Sequence, residues 1–149
     1  MAQAVKIEDR TSIMSSPKKA YDFFKYDLKD MNKVAPQLFN SAKVVDGKAG
    51  QPGGTIQYEL FVFGEKITIK LKAEKIDDAK RSITFGVVQE NKNDKNTALM
   101  IKVTVNNGNI TWSLQFADSK EVSEDVTNII KGVIDLIIRA LDIYLQFSF

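Results

Sequence analysis

The chain has 149 residues, a formal net charge of +2, 44% hydrophobic residues and 27% charged residues, which is typical of one globular domain spanning residues 1–149. It contains no cysteine and no histidine. These zeros exclude disulfides, thiol nucleophiles, Ser-His-Asp catalysis and the commonest metal ligand. We therefore expect no metal and no cofactor, and any catalysis would use Asp, Glu, Lys, Tyr, Arg, Ser or Thr.

The two ends of the sequence bear on its compartment. The first ten residues contain no apolar run of the kind found in secretory signals, so we expect a cytoplasmic protein. The stretch from Val126 to Phe149 is very apolar, but Lys131, Asp135, Arg139 and Asp142 interrupt it. These charges argue against a membrane span.

The N-terminal third predicts one strand and two short helices. Alternation of apolar and polar residues indicates a strand from Val5 to Ile13. Ser16 followed by Pro17 is typical of an N-cap and the first helical position. A second short helix is predicted over Met31–Val34, ending near Pro36.

The middle of the chain predicts a run of antiparallel strands, because its connections are short turns. Residues 63–66 indicate a tight hairpin, and Asn107-Gly108 predicts a two-residue turn with positive φ at both positions. Residues 67–74 alternate strictly, as in a strand with one buried face. Further strands are predicted around residues 83–87, 99–105 and 110–116.

The C-terminal segment predicts one long helix, capped by Ser123 and ending near Leu145. Its polar residues share one narrow stripe and leave a wide apolar arc. We expect a strongly curved sheet to wrap the helix and cover that arc. The polar stripe consists of Asn128, Lys131, Asp135, Arg139, Asp142 and Gln146.

Several short motifs follow one another at a characteristic spacing: residues 34–37, 52–56, 75–77, 82–85, 110–114 and 139–145. In this order the chain resembles the plant superfamily of the major birch pollen allergen (Bet v I-type), the pathogenesis-related class-ten proteins and the major latex proteins. The resemblance implies an α+β helix-grip (START-like) fold. In that fold a curved antiparallel sheet of about seven strands surrounds a long C-terminal helix, two short helices follow the first strand, and a large cavity lies between sheet and helix.

The resemblance favours an interior that forms a ligand cavity, whereas the residues alone also allow a dry core. The predicted lining residues are Phe24, Tyr58, Phe85, Val87, Leu99, Ile101, Val103, Leu114, Ile130, Val133, Ile137 and Tyr144.

Four polar side chains are weak catalytic candidates. The hydroxyls of Tyr58 and Tyr144 could donate hydrogen bonds into a cavity, or could be satisfied within a packed core. Asp9 shares the parity of the apolar residues of its strand and could have a raised pKa, or could lie at an edge near solvent. The strand over residues 56–63 has two possible registers, because both of its faces carry apolar residues. In one register Tyr58 faces the cavity, and in the other Glu59, Phe61 and Phe63 face it.

The leading hypothesis is a monomeric binding protein, with a weak dimer as the alternative. It would hold a hydrophobic plant specialised metabolite or hormone, such as a terpenoid or an alkaloid precursor. The second hypothesis is a cofactor-free cyclase or isomerase that resembles the major latex protein-like iridoid (nepetalactol) cyclases. A nucleic-acid partner is disfavoured, because the basic strand face of Lys66, Lys70 and Lys72 has no interleaved aromatic residues.

Overall fold

The computed structural model describes residues 6–62, 64–89, 97–116 and 124–147. Its strands are β1 (Lys6–Ser12), β2 (Phe39–Asp46), β3 (Thr55–Val62), β4 (Glu65–Asp77), β5 (Ser82–Gln89), β6 (Thr97–Asn106) and β7 (Asn109–Phe116). Its helices are α1 (Pro17–Tyr26), α2 (Met31–Val34) and α3 (Glu124–Gln146), with a 3₁₀ turn at Leu28–Asp30. The predicted order of elements is confirmed. The expected cap Ser123 lies outside the described residues.

The seven strands form one antiparallel sheet in the order β1-β7-β6-β5-β4-β3-β2. The first strand therefore pairs with the last, and β1 and β2 occupy opposite edges of the sheet. Because α1 and α2 connect β1 to β2, this helical segment carries the chain from one edge to the other. Ser16 begins α1 as predicted, since its side chain accepts a hydrogen bond from the backbone N–H of Lys19.

Irregularities in the strand pairing give the sheet its curvature. The register shifts twice in the β2–β3 pair, once between Ala73 and Lys75 of β4, and once between Val87 and Val88 of β5. Each such bulge bends its strand and increases the local twist. The sheet thus becomes concave toward α3, which is the helix-grip arrangement.

The concave face carries the buried core. Alternate residues of β5 and β7 point inward, among them Ile83, Phe85, Ile110 and Trp112, each at most 4% exposed. From the opposite side α3 contributes Leu141, which is 1% exposed. The alternation of apolar and polar residues that predicts these strands therefore also identifies the face of the sheet that packs on α3.

The turn between β6 and β7 lies where the sequence predicts it, but its geometry differs. Gly108 has φ +82°, whereas Asn107 has no positive φ. The expectation of positive φ at both turn positions is therefore wrong. A positive φ at the second position alone is the pattern of a type II turn, in which only glycine is needed.

The outer face of α3 also departs from expectation. The sheet does not cover the whole apolar arc, because Leu136 is 68% exposed, and Ile129, Ile143 and Phe147 are exposed as well. The polar stripe instead turns partly inward, since Asp142 is buried. Hydrogen bonds from Thr11 of β1 and from Met14 and Ser15, just before α1, to the acids of the helix fix this rotation.

Candidate functional site: a cavity beneath α3

A cavity of about 240 Å³ lies between the concave face of the sheet, α3 and the chain segment that connects α1 to β2. It is lined by Phe24, Leu28, Met31, Leu38, Phe39, Tyr58, Leu60, Ile69, Leu71, Phe85, Ile101, Val103, Trp112, Val133, Ile134, Ile137 and Ile138. None of these side chains is charged. Walls of this kind offer water no hydrogen-bond partner and give an apolar ligand close contact.

The polar atoms of the lining residues are withdrawn from the cavity. The Tyr58 hydroxyl donates a 2.7 Å hydrogen bond to the backbone carbonyl of Leu28, and burial raises the pKa of this phenol. The indole Nε1 of Trp112 is buried and has no hydrogen-bond partner within the described part of the chain. The cavity therefore has no described group that could transfer a proton to a ligand.

Three kinds of segment form most of the walls: strands of the sheet, the helix α3 and the connection between α1 and β2. Ile69 and Leu71 point inward from β4 with the period of two of a strand. Four residues of α3, at positions 133, 134, 137 and 138, recur at helical spacing and form the opposite wall. The side wall comes from the segment from Leu28 to Phe39, which contains the 3₁₀ turn, α2 and the start of β2.

A smaller crevice of about 30 Å³ lies beside the cavity, between the end of α1 and the loop over residues 47–54. It shares Phe24, Leu28, Leu71 and Phe85 with the main cavity. The Tyr26 ring lies against Gly50, where a Cβ atom would stand 2.5 Å from a ring carbon. Glycine is therefore required at this point of the loop, and its φ of +86° adds to that requirement.

A buried carboxylate fixes α3 above the cavity. Asp142 accepts hydrogen bonds from the backbone N–H groups of Met14 and Ser15, from the Ser15 hydroxyl and from Gln146. Burial of Asp142 raises the pKa of its carboxyl, but the hydrogen bonds together have the larger effect. The pKa is therefore lowered. Asp135, two helical turns earlier, accepts a 2.9 Å hydrogen bond from the buried Thr11 hydroxyl of β1.

The structure brings together many of the sequence-predicted lining residues. Val87 and Leu114 are buried, and Ile130 and Tyr144 are half-buried against the core, but these four do not line the cavity. Leu99 belongs to β6, and its side chain lies outside the described part of the structure. The predicted residues that do line the cavity are Phe24, Tyr58, Phe85, Ile101, Val103, Val133 and Ile137.

The other polar candidates lie away from the cavity. Asp9 is exposed on the edge strand β1, opposite Trp112 of β7. Glu59 accepts a hydrogen bond from Asn40, which together with the nearby Lys66 ammonium lowers the pKa of the carboxyl. The register of β3 accordingly places Tyr58 toward the cavity and leaves Phe61 exposed. Phe63 lies outside the described residues.

The Tyr144 ring packs edge-on against Phe23, with the ring centroids 6.2 Å apart. It stands on the α1 side of α3 rather than over the cavity. The structure therefore gives this tyrosine a packing contact between the two helices.

Sequence reasoning missed most of the side wall and part of α3. Strand alternation had singled out Ile69 and Leu71 as inward residues, but not as cavity residues. Leu38 precedes β2, and Phe39 begins it next to a register shift, so no alternation of residues indicated which side chains point inward. Ile134 and Ile138 share the inner face of α3 with predicted residues, and helical spacing could have found them.

The described residues form neither a cluster of metal ligands nor a membrane-spanning helix. Among the described residues, no three acidic side chains cluster closely enough to hold a cation. No helix in the described ranges combines the length and hydropathy needed to cross a membrane.

Comparison with known proteins agrees with this architecture. The Pathogenesis-related protein Bet v 1 family matches residues 2–146, so the chain belongs to that family. Its fold is similar to that of the major latex-like protein 151 of Panax ginseng, with a TM-score of 0.81, 19% identity, and coverage of 95% of this chain and 97% of the other. It is also similar to Ara h 8.0201, with a TM-score of 0.78, 18% identity, and coverage of 98% and 100%.

Proposed function

We propose that this protein binds a hydrophobic small molecule, a plant specialised metabolite or hormone, in the cavity beneath α3. The observation that carries the proposal is a 240 Å³ space whose walls are apolar and whose polar atoms are turned away. Protein interiors are normally packed without such voids, and a void of this size costs stability. A ligand that fills it restores the missing contacts.

The volume limits the size of the ligand. An apolar cavity of about 150 Å³ accommodates benzene, which has six carbons. At the same ratio, the 240 Å³ cavity has room for about ten carbon atoms. A monoterpenoid skeleton fits this limit, and a sterol exceeds it unless the walls move.

The chemistry of the walls predicts a preference among ligands of equal size. The Tyr58 hydroxyl is already bonded to the Leu28 carbonyl, so a ligand hydroxyl would be buried without a ready partner. An unpaired buried hydroxyl costs roughly 1–3 kcal/mol. We therefore expect a hydrocarbon to bind more tightly than its alcohol, after correction for their different solubilities.

A built-in reporter tests this proposal. Trp112 is the single tryptophan of the chain and lines the cavity, so its emission should change when a ligand enters. Titration with apolar compounds of about six to twenty carbons should give the largest change and the largest rise in melting temperature near ten carbons. Equal responses across the series, or none, would contradict a defined cavity site.

The second candidate function is that of a cofactor-free cyclase or isomerase acting on a reactive terpenoid or alkaloid intermediate. The same absence of titratable groups among the cavity residues favours conformer selection over acid–base catalysis, because a shaped pocket can hold one near-attack geometry. Incubation with reactive dialdehydes, enols or iminium precursors should then shift product ratios relative to buffer. If a compound binds but its product ratios stay the same as in buffer, the cyclase or isomerase function is contradicted and only the binding function is supported.

A further inference from the structure

The outer face of α3 carries an apolar seam formed by Ile129, Gly132, Leu136, Ala140 and Ile143. The three large side chains of this seam are 47%, 68% and 58% exposed in chain order. Gly132 is exposed as well, with no atom within 4 Å of where its Cβ would stand. On a helix these five positions fall within a narrow arc, so they form one continuous surface.

The spacing of the seam is symmetric about Leu136. The intervals along the chain are three, four, four and three residues, so Ile129 mirrors Ile143 and Gly132 mirrors Ala140. A two-fold axis that relates two antiparallel helices makes a surface of this kind self-complementary, because each residue then faces its mirror position on the second copy. We propose that the seam binds a second copy of this chain, with the two α3 helices antiparallel and Leu136 packed on its counterpart.

The small residues support close contact in this arrangement. In the antiparallel pair Gly132 of one chain faces Ala140 of the other, so the two backbones approach between the larger side chains. Helix axes separate by 8–10 Å depending on the residues at the contact, and this pair favours the short end of that range. The isoleucines at both ends then pack against each other.

Charges beside the seam are also complementary. Arg139 and Asp135 flank the seam on one side, and their Nε and Oδ2 atoms are 2.6 Å apart within the chain. In the antiparallel pair Arg139 lies about two residues, or roughly 3 Å along the axis, from Asp135 of the second copy. The unlike charges of the two copies therefore lie at nearly the same level on the same side of the seam, and the seam itself contains no charged residue.

The size of the seam predicts a weak dimer. From Ile129 to Ile143 the helix is about 21 Å long, and one helix face of that length falls short of the ~800 Å² per partner of a standard interface. We expect the chain to be monomeric near 1 μM and to dimerise appreciably at roughly 100 μM. This association does not depend on whether the cavity binds a ligand.

Cysteine cross-linking tests both the contact and its orientation. Because the chain has no cysteine, each introduced thiol is unique. Under mild oxidation at 100 μM, Leu136→Cys should form disulfide-linked dimers at least five-fold more than the control Val45→Cys, an exposed position on β2. Ile129→Cys and Ile143→Cys should each cross-link poorly alone, but well when mixed with each other.

The outcomes separate the alternatives. Strong cross-linking of Ile129→Cys with itself would indicate parallel helices and overturn the proposed symmetry. Equal cross-linking of all variants and Val45→Cys would overturn the proposed interface. Sedimentation gives an independent readout: Leu136→Lys should remain monomeric at 100 μM with unchanged circular dichroism. A wild-type chain that stays monomeric at that concentration would also overturn the proposal. It would do so even if the apolar seam made the chain bind phosphatidylcholine vesicles.

Discussion

At the scale of single residues, Tyr58 shows how a polar group can border a cavity and yet be unavailable to a ligand. Its ring lines the cavity, while its hydroxyl is committed to the Leu28 carbonyl on the adjoining segment. The sequence left two registers open for this strand, and the structure adopts the one in which the Tyr58 ring faces inward. The sequence could not predict the bond to Leu28, because that carbonyl belongs to an irregular turn.

Replacing Tyr58 with phenylalanine should therefore reduce stability without weakening apolar binding. The change removes one of two hydrogen bonds to the Leu28 carbonyl, which keeps the bond from the backbone N–H of Met31. We therefore expect a loss of about 0.5–1.5 kcal/mol in the free energy of unfolding. Urea unfolding measures it, with Tyr26→Phe as an exposed control that should change by less than about 0.5 kcal/mol. A Tyr58→Phe variant that unfolds like the wild type but loses ligand affinity would show that the hydroxyl serves the ligand instead.

Asp142 is the second residue whose role depends on its neighbours. The carboxylate bonds two backbone N–H groups and the Ser15 hydroxyl, so Asp142→Asn should cost roughly 1–3 kcal/mol. Asp22→Asn is the matched control, since the Asp22 carboxylate pairs with Lys18 on the surface and should contribute well under 1 kcal/mol.

The pH dependence of the Asp142 contribution follows from its lowered pKa. An unfolded aspartate titrates near about 3.9, and the folded group titrates below that value. The stabilisation is therefore fully present above about pH 5 and decreases as the pH falls through the folded pKa. The stability difference between wild type and Asp142→Asn should be constant from pH 5 to 8 and shrink below about pH 4, as urea unfolding at each pH will show. A difference that grows on acidification would contradict this assignment.

At the scale of elements, the positions of strands and helices with clear periodicity were predictable from the sequence. Their orientation against neighbouring elements was not. The alternation in β4 and the helical spacing of α3 placed both elements correctly. The rotation of α3 was not predictable, because it depends on Thr11 and Ser15, which lie more than 120 residues away in sequence. The sequence alone therefore assigned the polar stripe to solvent, while the structure exposes the apolar seam.

The β6–β7 turn offers a test at this scale. Gly108 has φ +82°, and a Cβ at this position would meet no atom within 4 Å, so a substitution is penalised by backbone strain alone. Gly108→Val should lower the free energy of unfolding by about 1–2 kcal/mol or more. Asn107→Ala is the control and should have a smaller effect, because Asn107 does not adopt a positive φ. If thermal unfolding ranks the two variants the other way, the turn geometry is wrong.

At the scale of the whole molecule, the cavity arises because the sheet, α3 and the segment from Leu28 to Phe39 meet around an incompletely filled space. The sequence identified apolar residues of the sheet and of α3 that face each other. Whether they touch or stand apart depends on the bulges that curve the sheet and on the segment from Leu28 to Phe39. Neither feature has a periodic sequence signal, so the cavity was expected from the family resemblance and not from the residues.

The most direct test of the central claim is calorimetric titration of a ten-carbon apolar compound into wild type, Ile137→Trp and Ile143→Trp. Ile137 lines the cavity and Ile143 lies exposed on the outer face of the same helix, so only the first substitution fills the cavity. We expect one site per chain with a negative heat-capacity change in wild type and in Ile143→Trp, and at least ten-fold weaker binding in Ile137→Trp. Equal binding by all three proteins, each verified as folded by circular dichroism, would show that the ligand does not occupy the cavity beneath α3.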